Sequence, residues 1–249
     1  AAEAIIDPKQ TGGTYPSPWL CGAGVAFKLV QALVQSWDKT ADPAAKVGVN
    51  WQKWLLDLVA IATITDMVPL RDENWTLAHF GLKVLRQTPR VGLQRLCELI
   101  RLDRATTTED DVGFMLGPRI NAASRVGEAN SAYRLLATDD RDEAERLARE
   151  LETRNEKRRA GLETVSAQIE ARLAAAPTPP ELIVLGYPTW PAGSLGLAAS
   201  RLVDDYDRPV FLWAGKPDGL IRSSGRGDGS VNLVELLRRA GGREFFSDF

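Results

Sequence analysis

The sequence predicts an α/β protein in which a mainly helical first half is joined by one long helix to a smaller half that mixes strands and helices. Three observations lead to this prediction. The segment from Trp51 to Val68 is apolar on nearly every side, as in a buried helix. Apolar residues then recur every three or four positions from about Asp140 to Ala176. Two short strand-like apolar runs follow that segment.

The first half opens with a polar loop, and a helix is expected to begin after Gly22. In the apolar segment that follows, Asp57 can face outward, whereas Asp66 is flanked by apolar residues and is expected to be embedded among them. An unpaired buried carboxylate costs several kcal/mol, so Asp66 needs a partner. Two interpretations stay open: a capping or hydrogen-bonded aspartate at a helix end, or a carboxylate beside a cation.

The segment G-P-R-I-N-A-A-S-R carries two arginines and an asparagine, Arg119, Arg125 and Asn121. One turn or helix start could direct both guanidinium groups at the same phosphate or carboxylate, with the asparagine as a further donor. The alternative is a helix-capping turn whose arginines form surface ion pairs.

The long helix is predicted from about Asp140 to Ala176, with Asp140 and Glu143 forming a capping box at its start. Unbroken, it would be roughly 54 Å long and would bridge two domains. Prolines from Pro177 onward end it. The charged run around Arg154–Arg159 is expected to be a solvated face, with a nucleic-acid contact as the alternative.

The second half begins with a strand-like run from Glu181, continues with a helical pattern from Ser194 and returns to a strand after Pro209. A predicted glycine-rich loop, S-S-G-R-G-D-G-S, then presents Ser224 and Arg226. Their hydroxyl and guanidinium groups, with backbone N–H groups, can bind a phosphate, although such a loop can equally be a flexible surface turn.

Composition narrows the class of protein only slightly. The net charge of −2 neither favours nor excludes nucleic acid. Two cysteines, Cys21 and Cys97, have no metal-type spacing and are expected to be buried thiols of a reducing compartment. His79, the sole histidine, lies in an amphipathic pattern and is expected to be packed there in a structural role.

No run approaches the roughly 18 apolar residues of a membrane span, so we expect a cytoplasmic protein with no membrane contact.

Motifs along nearly the whole chain resemble the RecJ family, the single-strand-specific exonucleases among the DHH phosphoesterases. The order and spacing of these motifs are specific to the family. They are I-I-D-P-K, G-A-G-V-A-F-K-L, D-L-V-A-I-A-T-I-T-D-M-V-P-L, G-F-M-L-G-P-R-I-N-A-A-S-R, S-L-G-L-A-A-S-R-L, S-S-G-R and N-L-V-E-L-L.

The resemblance implies roles for particular residues. Asp66 occupies the place of a catalytic aspartate that binds a divalent metal, Mn²⁺ or Mg²⁺, and Ser224 and Arg226 match the family's phosphate-binding pattern. That pattern normally faces the metal site across a cleft. The family's other metal ligands, an aspartate cluster and the Asp-His-His signature, are missing from this sequence, so we expect a fragment truncated at both ends.

The resemblance also implies a domain order and an activity. Residues 1–138 would be the C-terminal part of a DHH parallel-sheet domain, 139–176 the connecting helix, and 177–249 a truncated, smaller α/β domain of the DHHA1 type. The expected activity is metal-dependent 5′-to-3′ hydrolysis of single-stranded DNA in recombination and repair, with a single-strand-binding protein or a helicase as partners. The fragment alone is expected to be inactive.

Two alternatives remain. One is a catalytically silent relative that binds DNA or acts as a replication scaffold. The other is a DHH phosphoesterase acting on short oligonucleotides, against which the long helix argues, because that class would need a shorter connection between its domains.

Overall fold

The computed structural model of the protein describes residues 4–40, 50–125, 130–174, 180–215, 219 and 221–242, without the side chains of residues 38–40 and 124–125. The chain divides into two compact units, Ala1–Thr153 and Arg154–Phe249. Within the described ranges, no helix is both long enough and apolar enough to cross a membrane.

All the regular secondary structure described in the first unit is helical. Its helices are α1 (Gly22–Thr40), α2 (Leu56–Thr65), α3 (Asp72–Arg86), α4 (Val91–Leu99), α5 (Glu109–Asp111), α6 (Gly117–Arg125), α7 (Asn130–Ala137) and the beginning of α8 (Arg141–Ala174). A 3₁₀ turn, Trp51–Leu55, leads directly into α2, and a second one spans Arg104–Thr106. A π-helical turn, Val112–Leu116, joins α5 to α6.

The core of the first unit is built mainly from leucines that recur with the helical period. Fully or almost fully buried members are Leu85, Leu93, Leu96, Leu116, Leu135, Leu147 and Leu151. Because each of these helices buries one apolar face against its neighbours, their packing stabilises helices that would be marginal alone.

Helix α8 matches the long helix predicted from the sequence. It runs over 34 residues, which corresponds to about 51 Å. The Asp140 carboxylate caps its start, accepting hydrogen bonds from the backbone N–H groups of Asp142 (2.8 Å) and Glu143 (2.9 Å). The reciprocal half of the predicted capping box does not form, because the Glu143 carboxylate accepts from Thr138 and Arg134 instead.

The second unit contains a three-stranded sheet. Its elements after α8 are β1 (Ile183–Gly186), α9 (Ala192–Tyr206), β2 (Val210–Ala214), β3 (Arg222–Arg226) and α10 (Leu233–Arg239). Strand β1 pairs with β2 in parallel, and β2 pairs with β3 in antiparallel orientation. Alternate residues of β2, Val210, Leu212 and Ala214, are buried against α8 and α9. The predicted α/β class is therefore confirmed.

One local prediction is wrong. The residues S-S-G-R were expected on a loop, but they belong to strand β3, where Ser224 lies opposite Leu212. The glycine in the motif permits this pairing, since a Cβ at position 225 would lie 2.6 Å from the ring of Phe211. Glycine in a strand often marks such a close approach.

Candidate functional site

Asp66 lies immediately after α2 and its side chain is exposed. Its backbone N–H still donates to the carbonyl of Ala62 at 2.9 Å, but Met67 has a φ of +52° and is 88% exposed. The prediction that Asp66 is embedded among apolar side chains is therefore wrong. The physical reason is that α2 ends one residue earlier, so the chain turns outward where the apolar pattern continues.

The buried carboxylate of this segment is Asp57, at the opposite end of α2, where an outward-facing residue was expected. It is fully buried and accepts hydrogen bonds from the backbone N–H of Leu58 (2.7 Å), the hydroxyl of Thr88 (2.7 Å) and Nε of Arg90 (3.0 Å). Arg90 also donates to the carbonyl of Leu136 at 3.3 Å. Asp57 and Arg90 thus form an ion pair in which the buried Asp57 carboxylate has hydrogen-bond partners for both oxygens. This pair joins α2 to the connection between α3 and α4.

The C-terminal end of α2 meets the beginning of α6. A Cβ at position 117 would lie 2.6 Å from Oγ1 of Thr65, so only glycine allows this approach. The residue preceding Asp66 therefore contacts the first residue of the G-P-R-I-N segment. Two motifs whose contacting residues, Thr65 and Gly117, are 52 positions apart in the sequence therefore lie together in the first unit.

Arg119 is committed to a partner inside the first unit. Its guanidinium forms a two-pronged ion pair with the carboxylate of Glu152 on α8, with Nη2 at 3.0 Å from Oε1, and Nη1 donates to the carbonyl of Met115 at 2.7 Å. Only 13% of the Arg119 side chain is exposed. The Glu152 carboxylate therefore neutralises the positive charge of Arg119, which the sequence analysis expected to bind a phosphate or carboxylate ligand.

Helix α6 separates the residues of the G-P-R-I-N-A-A-S-R segment. Asn121 is exposed, whereas Arg119 lies on the same side as the buried Ala122 and Ala123. Arg125 is the last residue of α6, and its side chain lies outside the described part of the chain. Positions six residues apart on a regular helix differ by about 120° in direction, so the backbone does not bring Arg119 and Arg125 to one side.

In the second unit, Ser224 and Arg226 lie on one face of β3, against α9. Nε of Arg226 donates to Oγ of Ser200 at 3.2 Å, and Nη1 donates to the carbonyl of Gly225 at 2.7 Å and to Oγ of Ser224 at 3.5 Å. A Cβ at Gly196 would lie 3.1 Å from Nη2 of Arg226 and 3.2 Å from Oγ of Ser224. Helix α9 therefore approaches closely enough to hold both side chains.

Sequence reasoning missed the residues that position these arginines. Gly196 and Ser200 are four residues apart in S-L-G-L-A-A-S-R-L, and small residues at that spacing on a helix are a detectable signal of close approach. Glu152 gave no such signal, because its partner lies 33 residues away. Arg226 has no carboxylate within ion-pairing distance among the described residues, which distinguishes it from Arg119.

The described residues do not complete a metal site. No three histidine, cysteine, aspartate or glutamate side chains among them lie close enough to hold an ion. His79 is exposed rather than packed as predicted, with its ring stacked on Trp75 at 4.9 Å. Both cysteines are buried as expected, and burial raises the pKa of the Cys97 thiol to about 11, so this thiol is protonated at neutral pH.

A charged cluster ties the loop before α1 to α3. Glu73 accepts hydrogen bonds from Tyr15 and Lys28, both at 2.5 Å. Burial alone would raise the pKa of Glu73, but the two hydrogen bonds together lower it. The same pairing raises the pKa of Lys28. The next residue, Asn74, donates from its amide to the carbonyl of Pro69, which lies three residues after Asp66.

Comparison with known proteins identifies what this chain resembles. No protein-family model matches it. The single-stranded-DNA-specific exonuclease RecJ of Bacillus subtilis is 38% identical over 94% of the chain. Crystal structures of RecJ from Thermus thermophilus, in complex with Mg²⁺ or Mn²⁺, are 36% identical and superpose with TM-scores of 0.72 and 0.73 over 88% of the chain.

The chain spans only part of these relatives, 28% of the Bacillus protein and about a third of the Thermus chain, 32% in the Mg²⁺ complex. Identity at this level over 94% of the present chain, together with the fold similarity, confirms the family resemblance predicted from the motifs. In sequence and in fold, this chain matches a segment of the RecJ family of single-stranded-DNA-specific exonucleases.

Proposed function

We propose that this chain is part of a metal-dependent exonuclease that hydrolyses single-stranded DNA from the 5′ end in recombination and repair. The observation that carries the proposal is the match to RecJ exonucleases over nearly the whole chain. Cytoplasmic location, a single-strand-binding protein or helicase as partner, and the division at residues 138 and 176 are parts of the same proposal.

Asp66 is proposed as one carboxylate ligand of Mg²⁺ or Mn²⁺. Its exposure at the end of α2, beside the start of α6, supports this role, because a ligand must be accessible to the ion. Hard cations need several oxygen ligands, so the described residues alone do not fit either metal. The remaining ligands must come from outside the described residues. Once bound, the metal would supply an activated water and stabilise negative charge on the phosphate.

Arg226 and Ser224 are proposed as the main phosphate contacts. The guanidinium of Arg226 is exposed and hydrogen-bonded to neutral oxygens, so its charge is still available to an anion. Gly196 and Ser200 hold it against α9, which reduces the entropy lost on binding. The Ser224 hydroxyl lies beside it as a second donor.

The residues of α6 are proposed in lesser roles. Arg119 would have to exchange the carboxylate of Glu152 for a phosphate, and we expect its main role to be fixing α6 to α8. Asn121 and Arg125 are four residues apart on α6, so their positions share one side of the helix. They remain proposed contacts to the DNA backbone.

The test is nuclease activity of the protein translated from the complete reading frame, with Mg²⁺ or Mn²⁺, on single strands labelled at either end. We expect release from the 5′ end, loss of hydrolysis in Asp66→Ala, and about tenfold weaker DNA binding in Arg226→Gln. Arg222→Gln is the matched control, since Arg222 is exposed on the same strand and four residues away.

Each component of the proposal can fail separately. Near-normal turnover by Asp66→Ala would contradict the metal assignment. Release from the 3′ end would contradict the polarity. DNA binding without any metal-dependent cleavage would favour the catalytically silent relative.

A further inference from the structure

We propose that the first unit contains a second nucleotide-binding site, formed by a pocket between α1, the 3₁₀ turn Trp51–Leu55 and α3. The pocket has a volume of about 500 Å³, within the range of small-molecule sites. It lies at the N-terminal end of α2, whereas Asp66 follows the C-terminal end, about 15 Å away along the helix. The inference goes beyond the proposed nuclease function and does not depend on it.

Aromatic rings form the walls of the pocket. Trp54 and Phe80 both line it and remain 48% and 49% exposed, and Phe27, which is almost fully buried, lies beneath them. The Phe80 and His79 rings are nearly perpendicular, with their centres 5.1 Å apart. Exposed aromatic faces in a concave site provide stacking surfaces for the planar bases of nucleic acids.

Cations flank these rings. Nζ of Lys83 lies over one face of the Phe80 ring, 5.1 Å from its centre, which leaves the other face of Phe80 and the Trp54 ring for stacking; Lys53 adjoins Trp54 in the same lining. The described residues that line the pocket include neither aspartate nor glutamate. The charged side chains among these described lining residues are both positive, so a phosphate attached to a stacked base would have complementary groups nearby.

Besides stacking surfaces and positive charge, a nucleotide site needs groups that hydrogen-bond to the edge of the base, and amide side chains provide them here. Gln31 and Gln87 line the pocket, and each carries both a donor and an acceptor, as the edges of the bases do. The amides of Gln31 and Gln87 can therefore hydrogen-bond to the edge of a base, which a purely hydrocarbon ligand could not do.

The ligand class is thus a nucleobase carrying a phosphate, which a free nucleotide or a single strand can provide. The experiment is calorimetric titration of the full chain, in EDTA, with deoxyadenosine 5′-monophosphate, with deoxyadenosine and with a single-stranded oligodeoxyadenylate. The pocket variants are Trp54→Leu and Lys83→Gln, and Arg226→Gln tests the proposed phosphate site in the same titrations. The matched controls for these two pocket variants are Trp19→Leu, also at a tryptophan that is 48% exposed, and Lys9→Gln, at an exposed lysine whose Nζ lies 5.6 Å from the centre of the Trp19 ring.

We expect Trp54→Leu to weaken binding of both the nucleotide and the nucleoside about tenfold, because it removes the stacking surface. Lys83→Gln should weaken only the nucleotide, since the nucleoside has no phosphate. The two controls should leave all affinities unchanged. Circular dichroism of the variants verifies that they fold, which the exposure of both side chains favours.

The arms of the experiment separate the two sources. If the oligonucleotide binds no more tightly than the mononucleotide, the ligand is a free nucleotide; if only the oligonucleotide binds and Trp54→Leu abolishes this, the ligand is a strand. The proposal is overturned if neither binds, or if both pocket variants bind like the unmodified chain. Loss of binding in Arg226→Gln alone would place the nucleotide at the proposed phosphate site and would also overturn it.

Discussion

The two ends of α2 place the same residue type in opposite environments. At the N-terminal end, Asp57 is fully buried and hydrogen-bonded to Thr88 and Arg90. At the C-terminal end, Asp66 is exposed and follows the last helical residue. The difference shows that burial of a carboxylate depends on whether the fold supplies its partners. A buried aspartate with internal partners serves stability, whereas an exposed one beside a second motif is available for a ligand.

The largest effect should come from Asp57→Ala. Removing this carboxylate leaves the Arg90 guanidinium and the Thr88 hydroxyl without their main acceptor, so we expect the free energy of unfolding to fall by about 3–5 kcal/mol. Urea denaturation measures this loss. Asp57→Asn, which keeps the shape and some hydrogen bonds, should lose less. A loss below about 1 kcal/mol for Asp57→Ala would contradict the comparison, since that is the size of a surface pair.

An intermediate effect should come from the partly exposed cluster of Tyr15, Lys28 and Glu73. The pKa of Glu73 is lowered from 4.5, so its ionised form is favoured by folding. Its contribution to the free energy of unfolding is therefore present above pH 4.5 and is lost as the pH falls through the lowered pKa.

Glu73→Gln should remove this pH-dependent contribution, which we expect to be about 1 kcal/mol or less, because roughly a third of both side chains is exposed: 36% of Lys28 and 33% of Glu73. The measurement is thermal unfolding of both proteins between pH 7 and the acid range. If the unfolding temperatures of the two proteins change in parallel as the pH falls, the ionised Glu73 carboxylate contributes nothing to the free energy of unfolding.

The smallest effect on folding should come from Asp66→Ala. Its side chain is exposed and the backbone hydrogen bond to Ala62 is retained, so the free energy of unfolding should change by no more than about 0.5 kcal/mol. Urea denaturation beside Asp57→Ala gives the direct comparison. A loss comparable to that of Asp57→Ala would mean that Asp66 is a structural residue and would remove the basis for its proposed metal role.

Patterns that depend on neighbouring residues were predicted well. The start of α8 at its Asp140 cap, the strand V-F-L-W-A and the helix in S-L-G-L-A-A-S-R-L all appear in the structure. Predictions that required knowledge of distant partners failed. Asp57 was expected to face outward because nothing nearby reveals Arg90, 33 residues later. The S-S-G-R strand was missed because its pairing with β2 compensates for residues that favour turns.

The candidate site shows the same division. Its sequence motifs identify Ser224 and Arg226, but only the structure shows that α9 holds both of them. Likewise, the arginines and asparagine of α6 predict an anion site. In the structure, however, the Arg119 guanidinium is paired with the Glu152 carboxylate and is not available to an anion.

The sequence alone determined the α/β class, the long helix and the family resemblance. These follow from periodicity, capping residues and motif order, which are local or linear properties of a chain. Only the tertiary structure decided which aspartate of α2 is buried, which arginine keeps an uncompensated charge and where a pocket opens. Those outcomes depend on contacts between residues tens of positions apart, and the free energy of a charge or an aromatic ring depends on what packs beside it.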